Sequence, residues 1–249
     1  MRRLLALFAG LFVVTGAACQ QRSTEAMRQG NPQSTSGSAK RTVLTPPEAF
    51  GYKTAWFAVR SKNTKAVAAA FKLKNIAPAS WEYGIDHAYG PHTYGIFVTP
   101  PVKGWTLVMG LPIMLGETDK RLEQAAKLSR RFGEVQFYCN YRVSGVYVWG
   151  RAINGRVVRL FAEEDGDRRE IGPRSDVEKP MLAKFFDDLS PEAKQPGDWD
   201  RTDLTMPDED DVLKVAAAWS VNPNQLEEMS LPPALGLLGD PPPGYYETI

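Results

Sequence analysis

"EVQFYCNYRV", residues Glu134–Val143, is where the fold can be read most directly. Val135, Phe137, Cys139, Tyr141 and Val143 alternate with Glu134, Gln136, Asn140 and Arg142. Side chains alternate sides along an extended chain, so this period of two predicts a half-buried strand with its polar set facing water. Cys139 falls on the apolar side and reads as a packed core thiol rather than a reactive one. The chain continues through "GVYVWGRA", Asn154-Gly155, "RVVRLFAEE", Asp165-Gly166 and "RREIG". Asn-Gly and Asp-Gly tolerate positive φ and make two-residue hairpin turns, so residues 134–172 predict a meander of about four strands. The connections are too short for the crossovers that parallel strands need. The expected fold class is therefore α+β: an antiparallel sheet of about six strands including the meander, with three to four helices packed on one face.

The flanking segments supply the remaining elements. "TAWFAVR" (Thr54–Arg60), the segment Tyr94–Val98 and "GWTLVMG" (Gly104–Gly110) read as strands, and "SKNTKAVAAAFKL" as a capped helix. "TDKRLEQAAKLSRRFG" predicts the best-defined helix, with Thr118 as N-cap, Asp119 in the first turn, basic residues in the last and Gly133 as the stop. "PDEDDVLKVAAAWS" predicts an amphipathic helix whose acidic first turn suits the helix dipole. A short helix broken at Pro180 is expected within Asp176–Leu189, and another in "NPNQLEEM". "LPPALGLLGDPPPGYYETI" is too rich in Pro and Gly for regular structure and reads as a surface tail. The expected folded domain spans 43–230, with the tail at 231–249.

The N-terminus has a different character. Arg2 and Arg3 precede an apolar run, Leu4–Val14, then the small residues Gly16-Ala17-Ala18 and Cys19. This is the layout of a secretory signal over residues 1–18, and the run is far shorter than the roughly 20 residues a bilayer-spanning helix needs. "VVTGAACQQ" resembles the cleavage region of bacterial lipoprotein precursors, in which the cysteine after the cut carries diacylglycerol; Gly16 stands where that family usually has Leu. The resemblance covers about the first 20 residues. It implies lipidation of Cys19, a membrane anchor and a place in the cell envelope, facing the periplasm on the outer membrane where a host has two. Residues 19–42 then read as the lipidated cysteine and a flexible tether, since "QQRSTEAMRQGNPQSTSGSAKR" has no apolar period.

Composition narrows the classes of partner. The 249 residues carry 30 Lys+Arg and 29 Asp+Glu, a formal charge of +1, with 43% hydrophobic and 24% charged residues. These are the proportions of an ordinary globular protein. No clustered basic stripe is present to neutralise a phosphate backbone, so nucleic acid is not an expected partner. With 2 cysteines, of which Cys19 is the lipid site, no internal disulfide is expected in the mature chain.

Candidate chemistry centres on "WEYGIDHAYGPHTYG". It holds both histidines, His87 and His92, beside Glu82 and Asp86, but a five-residue spacing across Gly90-Pro91 is not a helical ligand pair. The bland reading is a structured aromatic loop. Its aromatic density also suits a recognition surface, so Trp81, Tyr83, His87, Tyr89, His92 and Tyr94 form the candidate binding surface. The acids of "EEDGDRRE" lack calcium-loop spacing and read as a solvated hairpin tip. "DEDD" (Asp208–Asp211) reads as a helix N-terminus. No GxSxG, GxxxxGK[ST], HExxH or CxxC motif occurs, and no catalytic residue, metal or cofactor is expected. The blocks "RFGEVQFYCNYRVSGVYVWGRAINGRVVRLFAEEDG" and "PDEDDVLKVAAAWSVNP" are similar to bacterial proteins without an assigned activity, which implies no chemistry. The expectation is a lipid-anchored envelope protein whose domain binds another macromolecule without catalysis, with a protein partner and an immunity-type role as one version. The alternatives are an envelope hydrolase using carboxylates and a structural envelope component.

Overall fold

A computed structural model of the chain describes residues 41–90, 94–164, 166–182 and 207–245. Cys19, the signal, the tether and His92 lie outside the described residues. The first half contains β1 (Thr54–Val59), α1 (Thr64–Ala70), β2 (Lys74–Ala79), α2 (Trp81–Tyr89), β3 (Ile96–Val98), β4 (Thr106–Met109) and the one-turn α3 (Leu111–Met114). Then follow α4 (Thr118–Phe132), β5 (Glu134–Tyr141), β6 (Val146–Ile153), β7 (Arg156–Glu164) and β8 (Asp167–Ile171). The short α5 (Glu178–Met181), α6 (Glu209–Trp219), a 3-10 turn at Pro223–Gln225 and β9 (Gly236–Asp240) complete the described elements. Among them no helix is long and apolar enough to cross a membrane.

All nine strands form one sheet in the order β2-β9-β3-β4-β1-β5-β6-β7-β8, and every pairing is antiparallel. The meander is the continuous run β5 to β8. Asn154 and Gly155 both take positive φ, 49° and 90°, which matches the twist of the flanking strands at the β6–β7 hairpin. The α+β class and the antiparallel sheet follow the sequence pattern, but the sheet is larger than six strands, and six α-helices occur among the described residues.

The expectation of helices on one face is corrected: both faces are covered. On one, Ala55, Phe57, Val135, Phe137, Cys139 and Val148 pack with Val67 of α1, Ile113 of α3 and Leu122, Ala125 and Leu128 of α4. On the other, Trp56, Tyr138, Trp149 and Phe161 pack with Trp81 of α2 and Val212, Leu213, Val215 and Ala216 of α6. Trp149 stacks on Phe161 at 4.3 Å and Trp56 on Tyr138 at 5.0 Å. Each such fully buried large side chain contributes about 1.5–3 kcal/mol of transfer free energy, which makes this aromatic row the anchor of the second layer.

The same finding explains why the alternation in β5 misleads. Glu134, Gln136 and Asn140 do share a face, but α6 and the segment before β1 cover it, leaving all three buried. Buried polar groups need partners, and these have them. Glu134 Oε1 accepts from Arg151 Nε at 2.6 Å and from Gln136 Nε2 at 2.8 Å, and the Tyr138 hydroxyl donates to Gln136 Oε1 at 2.7 Å.

Further corrections concern elements. The region expected to be a tail contains β9, inserted between β2 and β3. Its glycines are the reason it fits: a Cβ on Gly236 would lie 2.5 Å from the Val98 carbonyl oxygen and 2.6 Å from the Phe97 ring. β2, for which the sequence pattern predicts no element, is the edge strand; it contains Pro78 and a register shift after Lys74, features that edges tolerate and interiors do not. The aromatic loop is a helix over Trp81–Tyr89, capped by Ser80, whose side chain accepts from Tyr83 N. Its Gly84 lets it approach β3, since a Cβ there would meet Phe97 at 2.3 Å. Glu117, not Thr118, occupies the N-cap position of α4, and the Thr118 hydroxyl donates to Glu164 Oε1 at 2.7 Å.

Candidate binding site

The face covered by α2 and α6 has two ends that differ chemically. At the β6–β8 end the carboxylate of Glu178 is fully buried. Its Oε1 accepts from Trp149 Nε1 and Arg159 Nε, each at 2.7 Å, and its Oε2 accepts from Ser175 N at 2.7 Å and Ser175 Oγ at 2.6 Å. Arg159 spends its other donors on the carbonyls of Ile171 and Gly172 and on Glu170 Oε2 at 2.9 Å. Burial alone would raise the Glu170 carboxyl, but hydrogen bonds from Arg174 and Arg159 hold it below its ordinary value. The Glu178 carboxylate accepts four hydrogen bonds and each nitrogen of the Arg159 guanidinium donates at least one, which is the pattern of a structural polar core.

The β1 end is built by the segment that enters the sheet, Ala49–Lys53. Lys53 takes φ 52°, a left-handed conformation that a lysine adopts only when its surroundings hold it there. Asn140 supplies that hold: its Oδ1 accepts from Lys53 N at 2.7 Å and its Nδ2 donates to the Gly51 carbonyl. The Tyr89 hydroxyl donates to the Lys53 carbonyl from α2. A buried Asn on a strand thus fixes the loop that carries Tyr52.

Tyr52 projects between two cavities. The first, about 560 Å³, is lined by Tyr52, Lys53, Arg142, Tyr147, Asp208, Glu209 and Asp210. The acids come from the start of α6, where Asp208 and Asp211 form a capping box (Asp211 N to Asp208 Oδ1, 2.9 Å), and their charges suit the positive end of the helix dipole. The Tyr52 hydroxyl donates to Asp210 Oδ1 at 2.8 Å, and this bond, with burial and the surrounding acids, raises its pKa above the ordinary phenol value. Burial first, and then Glu209 and Asp208, raise that of Tyr147. Both phenols therefore stay protonated donors at any physiological pH. Arg142 reaches Glu209 Oε2 at 3.3 Å, while the buried Glu209 Oε1 has no hydrogen-bond partner. The second cavity, about 290 Å³, lies behind Tyr52 and is lined by residues that include Phe50, Thr54, Ile85, Tyr89, Met109 and Asn224.

The residues expected to form one aromatic surface are divided by the helix. Trp81 is corrected to a core residue, 1% exposed and packed edge-on against Phe97 at 5.9 Å, because it starts the buried stripe of α2. Tyr89 points inward to the second cavity and to Lys53. Tyr83 and His87, one helical turn apart, stack at 3.7 Å on the outer side, with Arg41 over the Tyr83 ring and His87 Nδ1 2.9 Å from the Tyr83 carbonyl oxygen. Tyr94 is exposed. A small cavity of about 90 Å³ joins Glu82, Tyr83, Asp86 and His87. Among the described residues no group of three or more His, Cys, Asp or Glu side chains is arranged to hold a metal ion. Cys139 is buried, and burial with the nearby Glu164 pushes its thiol up to about 12, so the thiolate needed for nucleophilic chemistry is scarce.

Of the residues around Tyr52, sequence reasoning singled out only Tyr89 and the acids of "DEDD". Tyr52, Thr54 and Tyr147 sit in unremarkable strand-entry and strand patterns, and only topology brings them together. No protein-family model matches the chain, and no curated protein or solved structure matches it.

Proposed function

We propose that this protein is a lipid-anchored cell-envelope protein whose α+β domain binds another protein without catalysis, with an immunity-type role, the blocking of an incoming protein, as its most concrete form. The anchor is Cys19, held at the membrane by acyl chains, and the segment after it acts as the spacer that lets the domain reach its partner, up to Arg41, which donates to the Pro78 carbonyl and lies over Tyr83. The observation that carries the binding role is the cavity of Tyr52, Tyr147, Arg142 and Asp208–Asp210. Two tyrosines with a fixed set of opposite charges supply amphipathic contact area and orientation at low entropic cost, the combination found at protein-recognition hot spots. The acids Asp208, Glu209 and Asp210 outnumber Lys53 and Arg142, which favours a basic segment on the partner.

The experiment is crosslinking and capture of the full-length protein from its own envelope, with Tyr147→Ala and Asp210→Asn compared with wild type. The expected result is one partner protein whose recovery falls at least tenfold in the variants. Recovery unaffected by either change would move the binding role away from this cavity. Mass spectrometry of the mature N-terminus tests the anchor: a diacylated Cys19 is expected, and a chain that keeps Met1 or begins beyond Cys19 contradicts it.

A further inference from the structure

The smaller cavity behind Tyr52 has a chemical requirement of its own. Thr54 lines it, is 2% exposed, and its hydroxyl has no hydrogen-bond partner. Two residues along the same face of β1, the Trp56 indole N–H is likewise unpartnered behind the ring of Phe50, which meets Trp56 edge-on at 6.2 Å. Buried polar groups in folded proteins are nearly always satisfied, and each exception calls for a physical reason. Most of the remaining wall is apolar, with Phe50, Ile85, Met109 and the ring of Tyr89, and Tyr52 and Asn224 add polar groups to it.

These features define what fits. A threonine hydroxyl both donates and accepts, and another hydroxyl, which does the same in the least volume, complements it. An aliphatic chain would leave it unpaired. An ammonium or a carboxylate would lose its hydration against Phe50 and Met109 with no opposite charge to replace it. A planar apolar body with one hydroxyl at its tip satisfies both the walls and the floor.

We propose that this cavity is a receptor for a phenol, delivered as a tyrosine side chain of the partner protein. The proposal rests on the protein-binding role above and names the anchor residue of that contact. Tyr52 lines both cavities, so a partner segment that inserts a tyrosine here passes directly over the acidic cavity with its neighbouring residues.

The test uses the full-length protein in detergent, titrated by NMR with N-acetyl-tyrosinamide, N-acetyl-phenylalaninamide and free p-cresol. The expected result is saturable shifts at residues 49–54 and Asn224, with the tyrosine amide about tenfold tighter than the phenylalanine amide, the worth of one net hydrogen bond. Thr54→Val, nearly isosteric, brings that ratio to about one and leaves phenylalanine-amide binding unchanged. Ile85→Trp, which fills the cavity instead, abolishes binding of both amides. Equal affinities in wild type, a ratio that survives Thr54→Val, or no saturable binding, as for a cavity that takes only water, would overturn the proposal. p-Cresol binding more tightly than the tyrosine amide would assign the site to a free small phenol and overturn the side-chain version. The two proposals fail separately. A captured partner whose recovery ignores Thr54→Val and Ile85→Trp removes the phenol site and leaves the binding role, whereas tyrosine-amide binding with no captured partner removes the binding role, leaves a phenol-selective cavity and overturns its assignment to a partner's side chain.

Discussion

At the β6–β8 end of one sheet face, the carboxylate of Glu178 accepts four hydrogen bonds; at the β1 end of the same face, the hydroxyl of Thr54 makes none. Both groups are almost completely buried. The difference separates a polar network that holds the protein together from a polar group that waits for something outside it. The first kind is costly to disturb, because each lost partner leaves a desolvated group behind. The second kind costs stability in the unbound protein and is retained where binding repays it.

The largest expected effect is at the saturated end. Glu178→Ala strands the buried Arg159 and the Trp149 N–H, and a loss of about 3–5 kcal/mol is expected in urea denaturation. Replacing the pair together, Arg159→Met with Glu178→Leu, is expected to cost clearly less than the single change; an equal or greater cost would mean that the network does more than pair charges. Next, Asp208→Ala removes the cap of α6 and is expected to cost about 1 kcal/mol, while also loosening the acids that line the larger cavity.

A smaller effect is expected from pH. Burial opposes ionisation of Glu170, but Arg174 and Arg159 hold its folded pKa below the ordinary carboxylate value. Its contribution is therefore present above the unfolded pKa and lost as the pH falls through the folded one. Stability measured from neutral pH into that acid window should fall less steeply in Glu170→Gln than in wild type; identical slopes would remove Glu170 from the network. The smallest effect is at the open end. Thr54→Val should leave stability unchanged or raise it by up to about 1 kcal/mol, since no hydrogen bond is lost. A loss above about 2 kcal/mol would break the comparison, by revealing that the hydroxyl is partnered.

How far the sequence foretold this molecule can be judged element by element. The meander was legible because Asn154-Gly155 and period-two runs are local signals, and α4 and α6 because caps and charges are written in their first and last turns. β9 was not, because "GLLGD" between prolines carries no strand signal; its identity depends on the close approach of β2 and β3, which only glycine permits. The alternation of β5 gave the correct sidedness and the wrong solvent exposure. A strand with Glu134, Gln136 and Asn140 on one side looks half-solvated until α6 and the Ala49–Lys53 segment are folded over it. The site itself was mostly illegible. Tyr52, Thr54, Tyr147 and Asp210 are separated by up to 158 positions, the span of the Tyr52–Asp210 hydrogen bond, and no local period links them.

The claim that the face has a binding end and a structural end is tested most directly by site-specific photo-crosslinking in intact cells. p-Benzoylphenylalanine replaces Val143, exposed beside the cavity-lining Arg142 at the open end, in one protein and Lys179, an exposed residue beside the saturated network, in another. One discrete crosslinked species from position 143 and none from position 179 is the predicted result. The same species from both positions, or a species from 179 alone, would contradict it.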